Sequence, residues 1–279
     1  MSEVAPGCVS IEEPVVQPAD GDGARIDYSA PVTLRAYVPL DGAEAGKLRR
    51  IEEALWHLSR IDIEGVGEVS SRELAEEDWA NAWKDHYHTR RVGRRLVIKP
   101  SWLTYEPLRD DVVVELDPGM AFGTGLHPTT DTCLQLLEDL VQGGERVLDL
   151  GTGSGILSLA AAGLGASSIL APDVEPVAVD AARANMASLH GIQVELGSLP
   201  LVPPETFDLV LANIIARVLI ELAADLKSVL RPEARLLASG IIAEREGEVV
   251  AAFDAVGLVI ERRVQAGDWV TLVARSVTG

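Results

Sequence analysis

Four short stretches carry residues whose types and spacing suit ligand chemistry. The first is Val147-Leu-Asp-Leu-Gly-Thr-Gly-Ser-Gly155, a short apolar strand entering a glycine-rich turn and then a helix. Gly151, Gly153 and Gly155 let the backbone pass close to a ligand. The spacing departs from the dinucleotide pattern G-x-G-x-x-G: the third glycine position falls on Ile156 in one register and on Ser158 in the other. A phosphate P-loop is excluded, because no Gly-Lys-Ser/Thr follows. The second is Asp173, 22 residues after Gly151 and just beyond the next apolar run. A carboxylate there can accept both hydroxyls of a ribose, or it can simply cap a helix. The third is Asn213 in Asp208-Leu-Val-Leu-Ala-Asn213-Ile-Ile-Ala216. An amide at the carboxyl end of a buried strand sits where open sheets bind ligands. Its carbonyl can hold an attacking N–H in line, or the side chain can tie a loop. The fourth is Asp117–Thr130, in which Gly119, Gly123 and Gly125 form a loop able to fold over a ligand. Phe122 and His127 lie in that loop, and Thr129 or Thr130 can cap the helix that follows. His127 reads either as a loop-ordering side chain or as a general base. Ser198, after the next strand, falls where a base edge would lie.

These residues need a scaffold, and the pattern around them supplies one. Strands are expected at Arg146–Leu150, Ser168–Pro172, Gln193–Leu196, Phe207–Ala212, Arg235–Ser239, Leu258–Val264 and Trp269–Ala274, with helices such as Pro176–Leu189 between them. Alternating strands and helices, with near-continuous apolar strands, predict a doubly wound parallel sheet. The hairpin-length turn Gln265-Ala-Gly-Asp268 predicts that the sheet ends in one antiparallel strand. Ahead of this lies a small α+β unit. It has strand character across Ala24–Val38, helical spacing across Gly46–Arg60 and a further strand candidate across Ile61–Val69. The stretch Glu73–Arg91 is helical in composition, with Trp79 and Trp83 on one face. The expected domains are therefore 1–75, a linker helix at 76–91, and 92–279.

Composition narrows the class. The chain has 279 residues and a net charge of −19. That charge disfavours nucleic acid across the whole surface and favours a basic partner. An apolar share of 47% excludes disorder as the source of the acidity. One segment runs against the trend: residues 80–105 carry Lys84, Arg90, Arg91, Arg94, Arg95 and Lys99 against Asp85 alone. It reads as a solvated face or as a contact for an anion. Cys8 and Cys133 are too far apart for a disulfide framework or a metal cluster, so no metal site is expected. Cys133 reads as a small core residue. With no leader-like pattern and no long apolar run, the expectation is a cytoplasmic protein with no membrane segment.

The form D-x-G-x-G-x-G is that of S-adenosylmethionine sites. Taken with Trp79-Ala-Asn-Ala-Trp-Lys84, Val92-Gly-Arg-Arg-Leu-Val97, Asp117–Thr130, Asp173-Val-Glu-Pro-Val-Ala-Val179 and Ala212-Asn-Ile-Ile-Ala216, it makes the chain from Asp78 onward resemble the methyltransferases of the large-subunit ribosomal protein L-eleven (L11). The resemblance implies a Rossmann-like, seven-stranded class I methyltransferase domain behind a small α+β substrate-recognition domain. It implies S-adenosyl-L-methionine as cofactor, with contacts at Thr130, Gly151, Asp173 and Asn213. Gly153, Phe122 and His127 join that expected cofactor set, and Asn213 is the expected catalytic residue. The implied substrate is an amine of ribosomal protein L11, either a lysine side chain or the N-terminal α-amine. The enzyme is expected to act as a monomer and to need no nucleic acid directly. Another protein lysine, or an RNA base, is the alternative substrate; a binding module without catalysis is the alternative class. Two departures matter. Ala171-Pro172 precedes Asp173 where the family more often has Gly-Val or Gly-Ile. Ile214-Ile215 replaces the prolines found after the Asn of amino methyltransferases, which favours an aliphatic amine over a planar base.

Overall fold

The structure is a computed structural model that describes residues 9–12, 15–16, 25–26, 32–36, 44–59, 69–71, 88–117, 127–199 and 204–277. By internal packing the chain divides into two compact units, Met1–Trp79 and Ala80–Gly279. The first contains β1 (Val9–Glu12), β2 (Val15–Val16), β3 (Arg25–Ile26), β4 (Thr33–Ala36) and the helix α1 (Glu44–Ser59). β1 pairs antiparallel with β4, and β2 with β3. α1 follows the helical spacing of Leu48, Ile51 and Leu55, with Ile51 buried. Of the strand candidate at Ile61–Val69 only Val69 is described, and it is exposed in irregular chain.

The second unit opens with β5 (Arg90–Val92), β6 (Leu96–Pro100) and β7 (Val112–Leu116). β5 runs antiparallel to β6, and β6 parallel to β7. Arg90 and Arg91 therefore lie in a strand, not at the end of a helix. Residues 76–87 of the expected linker helix fall outside the described residues.

The elements that follow are α2 (Pro128–Leu140), β8 (Arg146–Leu150), α3 (Ile156–Leu164), β9 (Ser168–Asp173), α4 (Pro176–Met186) and β10 (Ile192–Leu196). Then come β11 (Phe207–Asn213), α5 (Ala216–Glu221), α6 (Ala223–Val229), β12 (Leu230–Ile242), α7 (Glu246–Ala255), β13 (Leu258–Ala266) and β14 (Trp269–Ser276). β8 to β14 form one seven-stranded sheet in the order β10-β9-β8-β11-β12-β14-β13. Both faces are covered, as the apolar runs require. Val147, Leu209 and Leu211 pack on one side with Leu134, Leu137 and Ile156. Leu148, Val210 and Leu236 pack on the other with Leu219, Leu226 and Phe253. A helix as short as α3 does not persist alone in water. Burying Ile156, Leu157, Leu159 and Leu164 contributes about 1.5–3 kcal/mol per side chain and decides its formation.

One topological expectation is corrected. β14 is the antiparallel strand, but it sits between β12 and β13 and does not end the sheet. The burial pattern explains why. Val270–Ala274 are buried throughout, as an interior strand demands. β13 carries Glu261, Arg262 and Arg263 exposed, which suits the edge.

Four cations of the basic segment are engaged within the chain. Arg90 pairs with Asp131, Arg91 with Asp111 at 2.6 Å, Arg94 with Asp139 at 2.7 Å, and Lys99 with Glu115 at 2.7 Å. These four cations are paired within the chain; Arg95 is exposed, with its Nε donating to the Asp110 carbonyl at 3.3 Å, and Lys84 lies outside the described residues. Glu138 holds the β5–β7 sheet to α2. Its buried carboxylate accepts the backbone N–H groups of Arg94, Arg95 and Leu96 at 2.8, 2.6 and 2.8 Å. An acid in the last turn of a helix opposes the helix dipole, so these three donors must justify its place. Burial pushes the Glu138 carboxyl up, but the three N–H donors together with Arg94 outweigh it and hold the carboxyl below its ordinary range.

Glu138→Gln turns an amide N–H toward backbone donors and is expected to cost about 1–3 kcal/mol at pH 7. Because the folded carboxyl titrates lower than the unfolded one, its stabilisation is complete above about pH 4.3 and fades as pH falls through the folded value. Urea unfolding of both proteins from pH 7 to pH 3 checks this. The gap between them should narrow in acid, and a gap that stays constant would contradict the assignment.

Candidate active site

The site is built where β8, β9 and β11 end at the same edge of the sheet. The glycine-rich turn leaves β8 and is held mainly through its backbone. Gly151 N–H and Thr152 N–H donate to the Pro172 carbonyl at 2.9 and 3.3 Å. The β8–β9 ladder pairs as far as Leu148–Leu170, and beyond it Pro172, which has no N–H to donate, takes part through its carbonyl alone. Gly153 N–H donates to Asp173 Oδ2 at 2.9 Å, and Glu175 N–H to Asp173 Oδ1 at 3.0 Å. A carboxylate offers roughly four acceptor positions. Two are taken, which leaves capacity for a pair of hydroxyls.

Beneath the turn lies Asp149, 1% exposed. Strand alternation puts it on the same face as Val147, toward the first turn of α3. Thr152 Oγ1 and Ser158 Oγ donate to it at 2.8 and 2.7 Å. Burial pushes its carboxyl above the ordinary range, and the two hydroxyls offset only part of that. An acid inside the run Val147–Leu150 was visible in the sequence, but its partners were not.

Asn213 ends β11 beside Ser239 of β12. Its Nδ2 donates to Thr130 Oγ1 at 3.4 Å. The chain then crosses between two glycines. A Cβ on Gly151 (φ +72°) would lie 2.7 Å from Ile214 Cγ2. A Cβ on Gly240 (φ +78°) would lie 2.5 Å from the Ile214 carbonyl oxygen. Both positions therefore need glycine for space as well as for backbone angle. His127, and not Thr129 or Thr130 as expected, caps α2, since both threonines lie inside its first turn: the His127 Nδ1 accepts Thr129 N–H at 3.3 Å and lies 2.8 Å from Thr129 Oγ1. The ring also meets Trp269 edge-on, with centroids 4.9 Å apart and planes at 71°.

Together these groups line a cleft of about 520 Å³. Small-molecule pockets span about 300–1,000 Å³. Gly151, Asp173, Ser198, Asn213 and His127 line it directly. Thr130 and Gly153 stand behind it, joined through Asn213 and Asp173. Phe122 lies outside the described residues. The sequence reading missed Trp269, Gly240 and the apolar wall of Val174, Val218 and Leu222. Trp269 was placed in a strand with no signal that the strand would border a cleft. Cys133 is buried in the core as expected, and burial pushes its thiol up to about 12. Among the described residues no group of three or more His, Cys, Asp or Glu side chains could hold a metal ion, and no helix is long and apolar enough to cross a membrane.

Known proteins match this chain along nearly its full length. The family model for ribosomal protein L11 methyltransferase (PrmA) matches residues 7–277. A ribosomal protein L11 methyltransferase of Chloroflexus aurantiacus is 49% identical over 297 residues, covering 96% of this chain and 90% of that protein. Its counterpart from Herpetosiphon aurantiacus is 46% identical over 293 residues, with the same coverage of 96% and 90%. The crystal structure of the ribosomal protein L11 methylase from Lactobacillus delbrueckii subsp. bulgaricus aligns with a TM-score of 0.64 at 34% identity. That alignment covers 69% of this chain and all of the other.

Gly240→Ala forces a side chain into a left-handed backbone and against a carbonyl. It is expected to cost more than about 2 kcal/mol. Gly267 also has a positive φ, of +60°, but open space around it. Gly267→Ala should therefore cost only the backbone strain of about 1 kcal/mol. Equal losses for the two variants in urea unfolding would mean that the Ile214 crossing does not set the constraint.

Proposed function

Because the chain belongs to the ribosomal protein L11 methyltransferase family, we propose that it transfers methyl groups from S-adenosylmethionine to amines of ribosomal protein L11. The observation that supports this best is the convergence of Gly151, Asp173 and Asn213 on one cleft.

The donor set suits the cofactor. Asp173 retains acceptor positions for the ribose hydroxyls. Val174 and Leu150 offer apolar surface for a base, and Ser198 a polar edge. The glycine turn brings backbone to the cleft wall for the amino-acid end. When bound, S-adenosylmethionine supplies a sulfonium-activated methyl group. The residues of this chain bind, orient and exclude water.

An amine must be neutral to attack. For a lysine of pKa about 10.4, neutrality at pH 7 costs roughly 4.6 kcal/mol; for an α-amine of pKa about 7.7 it costs about 1 kcal/mol. Positioning at near-attack geometry is worth about 7–11 kcal/mol. Positioning outweighs deprotonation, so no strong base is needed. Asn213 fits the orienting role: its Nδ2 is directed to Thr130, which leaves Oδ1 to accept an N–H of the amine. His127 is engaged as a helix cap through Nδ1, which supports the ordering role over that of a general base. Ile214, Ile215 and Val218 form an aliphatic wall suited to a lysine stem.

A small α+β unit ahead of the catalytic unit suits recognition of the substrate protein. The net charge of −19 suits a basic partner in the cytoplasm and disfavours RNA.

The test is mass spectrometry of purified L11 after incubation with the protein and cofactor. Methyl additions on L11 amines are expected, and label appearing in rRNA alone would refute the substrate. Asn213→Ala should lower kcat about 100-fold or more while cofactor affinity changes far less. Asp173→Ala should do the reverse, weakening cofactor binding by about 10–100-fold through the loss of charge-assisted bonds. Calorimetry and steady-state kinetics on both variants separate the roles, and an Asn213→Ala enzyme with full turnover would contradict the orienting role.

A further inference from the structure

Asn185 lies in the last turn of α4 and carries no sequence signal. Its side chain nevertheless joins three separate parts of the chain. Oδ1 accepts the backbone N–H of Asp117, at the end of β7, at 3.0 Å. Nδ2 donates to the Asp117 carbonyl at 3.0 Å and to the Ser154 carbonyl, in the glycine-rich turn, at 2.9 Å. A primary amide has one oxygen and two N–H donors. Here the oxygen and the nitrogen are both committed to backbone groups 68 and 31 residues away in sequence.

Ser154 is fully buried and lies between two fixed neighbours. Gly153 N–H is held by Asp173, and Gly155 N–H by the Thr152 carbonyl at 2.9 Å. Asp173 thus clamps the turn from the side of the cleft. Asn185 clamps it from behind, because Asn185 does not line the cleft.

We propose that Asn185 is a positioning residue that locks the glycine-rich turn to the end of β7 and thereby sets the affinity for S-adenosylmethionine. This rests on the methyltransferase reading of the cleft. The donors are the essential groups. A carboxylate in the same place would set oxygen against the carbonyls of Ser154 and Asp117.

Calorimetry with S-adenosylmethionine on the full chain, as wild type, Asn185→Ala and Asn185→Asp, tests the proposal. Both variants are expected to bind about tenfold more weakly, since each loses two donated hydrogen bonds. The KM for cofactor should rise in parallel while the KM for L11 stays unchanged. If Asn185→Ala does not fold, Asn185→Ser, which keeps one donor, should show an intermediate loss. Variants that bind the cofactor as tightly as wild type would overturn the proposal. So would a loss of thermal stability with both KM values rising together, which marks a structural tie alone. A wild-type chain that binds no S-adenosylmethionine would refute the functional reading itself. A wild-type chain that binds it but leaves L11 unmodified would refute only the substrate.

Discussion

Everything at the site follows from one constraint: parallel strands that end together must send their chains apart without stranding backbone N–H groups. β8 lies inside the sheet, with β9 on one side and β11 on the other. The chain leaving β8 turns toward α3, and the chain leaving β11 turns toward α5 on the opposite face. A crevice opens between them, as expected at a switch point in an open α/β sheet. The N–H groups of the glycine turn find acceptors at the end of β9, in the Pro172 carbonyl and the Asp173 carboxylate. Ile214 closes the other wall and fits only because Gly151 and Gly240 carry no Cβ. Residues that give the crevice its floor also give it its chemistry.

Buried charge is handled by one device used three times. Asp149, Asp173 and Glu138 are each withdrawn from water, and each accepts at least two hydrogen bonds from hydroxyl or backbone donors. A buried carboxylate without such partners would be strongly destabilising. Asp149 stiffens the turn from below, Asp173 faces the cleft, and Glu138 fastens the β5–β7 sheet to α2. The arginines of β5 and of the turn after it belong to the same logic: they offset local carboxylates such as Asp131, Asp111 and Asp139. The chain is strongly acidic, and four cations of its basic run are paired with carboxylates of the same chain.

Strand positions were legible because both faces of the large sheet are buried and the sequence shows it as apolar runs. Arg146–Leu150 and the start of β9 at Ser168 matched to the residue. β12 extends from Leu230 to Ile242, well beyond the expected Arg235–Ser239, because Arg231-Pro232-Glu233 and Gly240, near the shifts of register, read as ends of the strand although pairing resumes beyond them. The place of β14 was misread from the hairpin turn. A short turn fixes that two strands pair but leaves open which of them meets the rest of the sheet. The contrast between the buried run Val270–Ala274 and the charged Glu261–Arg263 held the answer.

The sequence by itself determined the local grammar: a strand into a glycine turn, an acid at the next strand end, an amide at another, and a helix after the glycine-rich loop. These depend on neighbours close along the chain, and periodicity and residue type are enough to read them. The tertiary structure alone decided which distant groups meet. Arg94 meets Glu138 and Asp139, Trp269 meets His127, Gly240 meets Ile214, and Asn185 meets Asp117 and Ser154. Most of these pairs lie tens of residues apart, and their residue types are common on any surface. Only the closing of the sheet and the packing of helices on it bring them within bonding distance, and no local pattern records such a meeting.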